Sequence, residues 1–139
     1  MIKIYSRIDK NLLLHTINRM SDIDSNEKDR IDLSPDEEFI QVAGLKLGLQ
    51  KTFRPHKHIY RKGEQEVIPQ ESWVVIKGSV MFYIYDIDDS LIETTVLYPG
   101  DCSITFRGGH TYESLEEGTI VYEFKTGPYK GQIFDKVFI

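Results

Sequence analysis

Residues 71–85 read Glu-Ser-Trp-Val-Val-Ile-Lys-Gly-Ser-Val-Met-Phe-Tyr-Ile-Tyr, and this stretch decides the fold. Trp, Val, Ile, Phe and Tyr suit a pleated, half-buried surface, and Gly78 divides the run into two strands. Glu71, Trp73 and Val75 share one parity, so they occupy one strand face, expected to point inward. Asp86-Ile-Asp-Asp-Ser90 then makes a hairpin tip, because Asp and Ser bond their own backbone in turns. It is not an EF-hand: the glycine is missing and Leu97 stands where the twelfth-position carboxylate belongs. Strands recur over 91–98, 102–106, 111–115 and 119–125, punctuated by Pro99-Gly100, Gly108-Gly109 and Glu116-Glu117-Gly118. Short strands at such regular spacing indicate a sandwich or barrel. Upstream, Phe39-Ile-Gln-Val42 alternates, and Leu45, Leu47 and Leu49 fall opposite Lys46, Gly48 and Gln50. Earlier still, Leu13, Ile17 and Met20 are spaced by three and four. This predicts one helix within residues 10–29, with a polar loop over Ser21–Arg30. The expected division is an N-terminal extension over 1–38 and a single β-barrel over 39–139.

The whole chain agrees with a small globular domain. Its 139 residues are 40% apolar, 28% charged and 12% aromatic, enough to bury roughly two-thirds of the unfolded surface. Seventeen Lys and Arg against 22 Asp and Glu give a net charge of −5. Such a surface argues against non-specific binding to nucleic acid or to an anionic membrane. The lone Cys102 cannot close an internal disulfide. No apolar run approaches the roughly 20 residues of a membrane span, and the N-terminus has no apolar signal core. A cytoplasmic location is the expectation.

Four histidines occur, at positions 15, 56, 58 and 110. His56 and His58 follow Pro55 and, on a strand, project to one face about 6–7 Å apart. Imidazoles so placed can share one metal ion at about 2.0–2.1 Å from each nitrogen. Read alone, they serve equally well as part of a basic patch with Arg54 and Lys57.

The order His-x-His, Glu71 with Gly78 seven residues on, Pro99-Gly100-Asp101, and His110 after two glycines resembles the two signature motifs of the cupin superfamily. Arg54-Pro-His-Lys-His58, Gln70-Glu-Ser-Trp-Val-Val-Ile-Lys-Gly78, Gly108-Gly-His110, Glu123-Phe-Lys-Thr-Gly-Pro-Tyr129 and Asp135-Lys136 are similar to the small WbuC-type cupin metalloproteins. The resemblance implies an all-β jelly roll, a double-stranded β-helix, with a short helical N-terminal extension. It also implies a metal site made by His56, His58, Glu71 and His110. Three imidazoles and a carboxylate suit a divalent Fe, Mn, Ni or Zn ion. Two departures stand out. Glu71 lies thirteen residues after His58 instead of four or five, which leaves Glu64 and Glu66 as rivals. Phe106 also occupies a usual proline position, one residue too close to His110.

The expected function is a metal-dependent isomerase, hydrolase or oxygenase acting on a small oxygenated molecule. The resemblance suggests a sugar or sugar nucleotide in polysaccharide biosynthesis. One alternative is a metal-free sugar-nucleotide epimerase or ketoisomerase, with His58 or His110 as base and Tyr129 as acid. Another is a non-catalytic ligand-binding module. Arg54, Trp73, Arg107 and Lys125 are candidate pocket residues. Glu123 and Lys125 share a strand face; the simpler reading is a solvated pair, the sharper one a pocket-facing pair that orients a polar ligand. His15 reads as a partly buried surface residue and Cys102 as a free buried thiol. Pairing of Ile2-Lys-Ile-Tyr5 with a second subunit is expected to make a homodimer.

Overall fold

The computed structural model describes residues 1–61 and 68–139. The chain opens with a hairpin of β1 (Ile2–Tyr5) and β2 (Leu13–Ile17), followed by a one-turn helix, α1 (Met20–Asp24). The helical period of Leu13, Ile17 and Met20 is therefore overridden through Ile17. Pairing with Ile2–Tyr5 satisfies the backbone of Leu13–Ile17, and only Met20–Asp24 is helical. So short a helix gains little from local propensity and depends on tertiary packing. Ile23 supplies it, at 1% exposure. It occupies the space over Gly44, where a Cβ would lie 2.5 Å from its Cδ1.

The remaining strands are β3 (Arg30–Asp32), β4 (Ile40–Leu47), β5 (His56–His58), β6 (Glu71–Lys77), β7 (Val80–Tyr85), β8 (Leu91–Leu97), β9 (Cys102–Thr105), β10 (Gly109–Ser114), β11 (Thr119–Thr126) and β12 (Lys136–Phe138). They form two five-stranded sheets, in the orders β3-β4-β11-β6-β9 and β12-β5-β10-β7-β8. All pairings are antiparallel. Because β3 pairs with β4, the first sheet begins at Arg30, ahead of the expected boundary at 39. Gly78 joins β6 to β7 at φ +76°, a conformation with little steric cost only for glycine. Among the described residues no helix is long and apolar enough to cross a membrane.

The inner faces change character along their length. On β11 the inward residues run Val121, Glu123, Lys125; their partners run Val75, Trp73, Glu71 on β6 and Leu45, Ala43, Gln41 on β4. One end of the sandwich is thus filled with Leu45, Leu47, Val75, Val80 and Val121. The other end is polar. An aromatic layer separates them: Trp73 stacks on Tyr112 with ring centroids 4.0 Å apart, Phe82 stacks on the same ring at 4.7 Å, and Phe53 meets Trp73 edge-on at 5.6 Å. This apolar floor closes the base of a cavity of about 580 Å³.

Candidate metal centre

Three strands deliver the four side chains. β5 points His56 and His58 to its inner face, β10 places His110 directly opposite His56, and β6 begins with Glu71. The three ring centroids lie 4.5–5.3 Å apart. One nitrogen or oxygen from each of the four residues lies within 4.8 Å of the others, and all four side chains are buried. Glu64 and Glu66 lie outside the described residues. Among the described residues Glu71 is the carboxylate that meets the Nε2 atoms of His58 and His110.

The hydrogen bonds around the cluster orient it. A carbonyl can only accept, so His56 Nδ1 is protonated and donates to the Arg54 carbonyl at 3.1 Å. By the same logic His58 Nδ1 donates to the Asp135 carbonyl at 3.2 Å, with the Asp135 carboxylate at 3.5 Å. Both rings therefore turn an Nε2 lone pair inward. Glu71 accepts from Trp73 Nε1 at 3.1 Å and meets His110 Nε2 at 3.2 Å. His58 Nε2 faces the other Glu71 oxygen at 3.3 Å yet has no hydrogen-bond partner among the described residues, and His110 Nδ1 is also buried without one there. A buried lone pair aimed at a carboxylate oxygen is unfavourable unless a cation or a proton lies between them. The donor set, its closeness and this orphaned nitrogen all fit a divalent transition metal.

Electrostatics favour a neutral His56 and an ionised Glu71, and they pull His58 toward its protonated form, so its Nε2 is a place for either a proton or a cation. Burial, reinforced by His110 and Lys136, lowers His56 to about 3, so its ring is neutral. Burial would raise Glu71, but His110, His58 and Lys125 outweigh it and hold the carboxyl well below its ordinary value. Burial would lower His58, but Asp135 and Glu71 outweigh that and raise it.

Asp135, 1% exposed, anchors the wall behind His58. It accepts from Arg61 Nη2 at 2.7 Å and pairs with Lys125, whose ammonium lies 3.8 Å from Glu71. Arg61 is itself fixed by the carbonyls of Thr126 and Pro128 at 2.9 and 2.7 Å. Burial would raise Asp135, but His58, Lys125 and Arg61 outweigh it and hold it well below the usual carboxylate range. On the far wall, Glu123 pairs with Arg30 at 2.9 Å. Burial and the nearby Glu71 raise Glu123 despite that partner.

Arg54, Trp73, Lys125 and Tyr129 line the cavity. Arg107 does not. Its side chain is exposed and its only hydrogen bond, among the described residues, goes to the Phe106 carbonyl, because Arg107 lies in the bend between β9 and β10, before the strand that turns His110 inward. Cys102, at the start of β9, is also exposed and is not the buried thiol expected. Of the two readings of Glu123 and Lys125, the solvated pair is corrected and the pocket-facing pair is what the structure has. They face the cavity, since the inner face of β11 continues from Val121 through both. Asp135, Arg61, Arg30 and Lys136 were not singled out as site residues from the sequence. The Asp135-Lys136 dipeptide was the available signal, but the pairing of Lys136 with His58 that gives it meaning is a tertiary contact.

Neither a family model nor a curated protein matches this chain. Solved structures do. An uncharacterized conserved protein with a double-stranded beta-helix domain from Klebsiella pneumoniae shares 13% identity over 90% of this chain and 97% of its own, with a TM-score of 0.61. KdgF from Halomonas sp. shares 17% identity over 75% of this chain and 81% of its own, with a TM-score of 0.56. Oxalate decarboxylase from Bacillus subtilis shares 18% identity with a TM-score of 0.57; the match covers 79% of this chain but only 27% of that longer protein. At these identities the likeness is one of fold. With its paired five-stranded antiparallel sheets and a polar cavity at one end, the chain has the double-stranded β-helix fold of the cupins.

Proposed function

We propose that the protein is a divalent-metal-dependent cupin acting on a small oxygenated molecule, with sugars and sugar nucleotides of polysaccharide biosynthesis as the first class to test. The observation that carries the metal reading is the buried His56–His58–Glu71–His110 cluster, with His58 Nε2 facing Glu71 and without a hydrogen-bond partner among the described residues. The sugar reading rests on the WbuC-type sequence resemblance. A bound divalent ion supplies a Lewis acid for a carbonyl or hydroxyl oxygen, the common need of isomerase, hydrolase and oxygenase chemistry. The chain's own residues do the rest. Arg54 O and Asp135 hold the imidazole rings in one tautomer and orientation, the usual duty of groups behind metal ligands. Trp73, Tyr112 and Phe53 exclude water from below, and Glu123 and Lys125 present a carboxyl and an ammonium to the cavity.

The test is metal content by mass spectrometry on protein purified without a nickel column or chelator. About one equivalent of a transition metal is expected, and none in a folded His56→Ala, His58→Ala, His110→Ala triple variant. Protein that stays metal-free after reconstitution with Fe, Mn, Ni and Zn overturns the reading. The His–Tyr isomerase then leads, since Tyr129 borders the same cavity. Turnover lost in Tyr129→Phe supports that alternative, and unchanged turnover removes it.

The same proposal takes the molecule as a homodimer. Ile2, Ile4, Tyr5, Leu12 and Leu14 are exposed on the N-terminal hairpin, and a second copy pairing there would cover them. A monomer mass that does not change with concentration overturns it.

A further inference from the structure

The charges lining the cavity do not cancel. Arg30 is matched by Asp32 and Glu123, Arg61 by Asp135, and Lys125 by Asp135 and by Glu71 at 3.8 Å. Two cations are left without a carboxylate among the described residues. The Arg54 guanidinium lies 4.4 Å over the ring of Phe138 and makes no hydrogen bond there. Lys136 is half-buried, and among the described residues its Nζ has one hydrogen-bond partner, His56 Nε2 at 3.3 Å. Arg54 lies two residues before His56, and Lys136 is on β12, which pairs with β5. Lys136 pairs with His58 and Phe138 with His56 in the β12–β5 ladder, so Lys136 and Phe138 share the inward face with the two histidines.

His56 Nδ1 is already committed to the Arg54 carbonyl, so Nε2 is the atom His56 has to offer a metal. If a metal takes that lone pair, Lys136 loses its one acceptor among the described residues. A half-buried ammonium needs a replacement, and the chain's described residues offer none. The chain carries a net charge of −5, so the unpaired cations at this one concave site run against the charge of the whole molecule. Such local excess attracts ligands of the opposite sign.

We infer that the ligand of this cavity is an anion: a small molecule whose carboxylate or phosphate oxygen sits between the metal site and the Lys136 ammonium, with Arg54 as a second cationic contact. Lys136 is then a specificity residue, selecting acidic sugars or sugar phosphates over neutral ones. This inference rests on the metal reading, and its test keeps the two apart.

Metal-loaded protein, its stoichiometry measured first, is titrated calorimetrically with glucuronate, glucose 6-phosphate and glucose. The three share ring hydroxyls and differ in charge, and the two acids tell carboxylate from phosphate. At least one acid should bind about tenfold or more tightly than glucose, as a charged hydrogen bond in a shielded site implies. Lys136→Met should abolish that preference while keeping the metal equivalent and leaving glucose unchanged. Lys136→Arg should retain part of it, and Arg54→Gln should reduce it. Equal binding of acids and glucose, or an undiminished preference in Lys136→Met, overturns the inference whatever the metal content. If the wild type holds no metal, the metal reading fails. The same titrations on metal-free protein then judge Lys136: a preference lost in Lys136→Met upholds the clamp, and no preference overturns it.

Discussion

The carboxylate of Asp135 faces the His58 ring, the Arg61 guanidinium and the Lys125 ammonium at once. In Asp135→Asn the shape is kept and the charge is lost, leaving two nearly buried cations without their anion. The expected cost is about 3 kcal/mol in urea unfolding, the low end for breaking a buried pair. Metal affinity should fall roughly 10–100-fold in a chelator competition, as when a group behind a metal-bound histidine is removed. If neither quantity moves, Asp135 does not position His58. The histidines also give the metal-free protein a directional response to pH. His56 is held at about 3 in the folded state, against an unfolded value of about 6.5. The unfolded chain therefore takes up the proton first, so stability falls as pH drops from about 6.5 toward 3. His58 is raised, so its contribution is fully present below about 6.5 and is lost only as pH rises through its folded value. Glu71 and Asp135 are depressed, and their contributions fade only at more acid pH, below about 4. Metal-free protein should show its melting temperature declining between pH 6 and pH 4. A flat profile would mean that His56 is not held neutral by burial.

At the scale of elements, the β6–β7 junction carries the strictest requirement. Gly78 sits at φ +76°, and a Cβ there would lie 3.0 Å from the Thr119 backbone Cα, which cannot move aside alone. Gly78→Ala should cost on the order of 2 kcal/mol or more, from the left-handed conformation and the overpacking together. A denaturant midpoint that stays put would show that the turn relaxes freely. The junction matters to the site because β6 carries both Trp73 and Glu71. Their alternation with Val75 was readable from period two alone, since one strand's parity is a local property. The N-terminal segment was not readable in this way. Leu13, Ile17 and Met20 satisfy a helical period, but Leu13–Ile17 pairs with Ile2–Tyr5, and backbone pairing with a distant segment outweighs a weak local preference.

Across the whole molecule, the four cluster residues come from positions as far apart as His56 and His110, and only the closed sandwich brings them together. Metal should bind the folded state and not the unfolded one. Stripping the metal with a chelator is then expected to lower thermal stability, by about 4 kcal/mol where free metal stands a thousandfold above its dissociation constant. The triple histidine variant should melt at one temperature with or without metal. A wild-type melt indifferent to metal would show that the cluster does not couple binding to folding.

The sequence by itself determined the β architecture, the parity that groups His56 with His58 and Glu71 with Trp73, and the membership of His110. Each follows from a short-range pattern of residue types, or from a motif written in such patterns. The tertiary structure decided what surrounds them. It turned Glu123 and Lys125 into the cavity, kept Arg107 out of it, set Asp135 behind His58, and brought Lys136 against His56. Those outcomes depend on the register between β12 and β5 and on which face of β11 meets the opposite sheet. Register is a relation between segments far apart in the chain, settled by packing the whole core, and no local period encodes it.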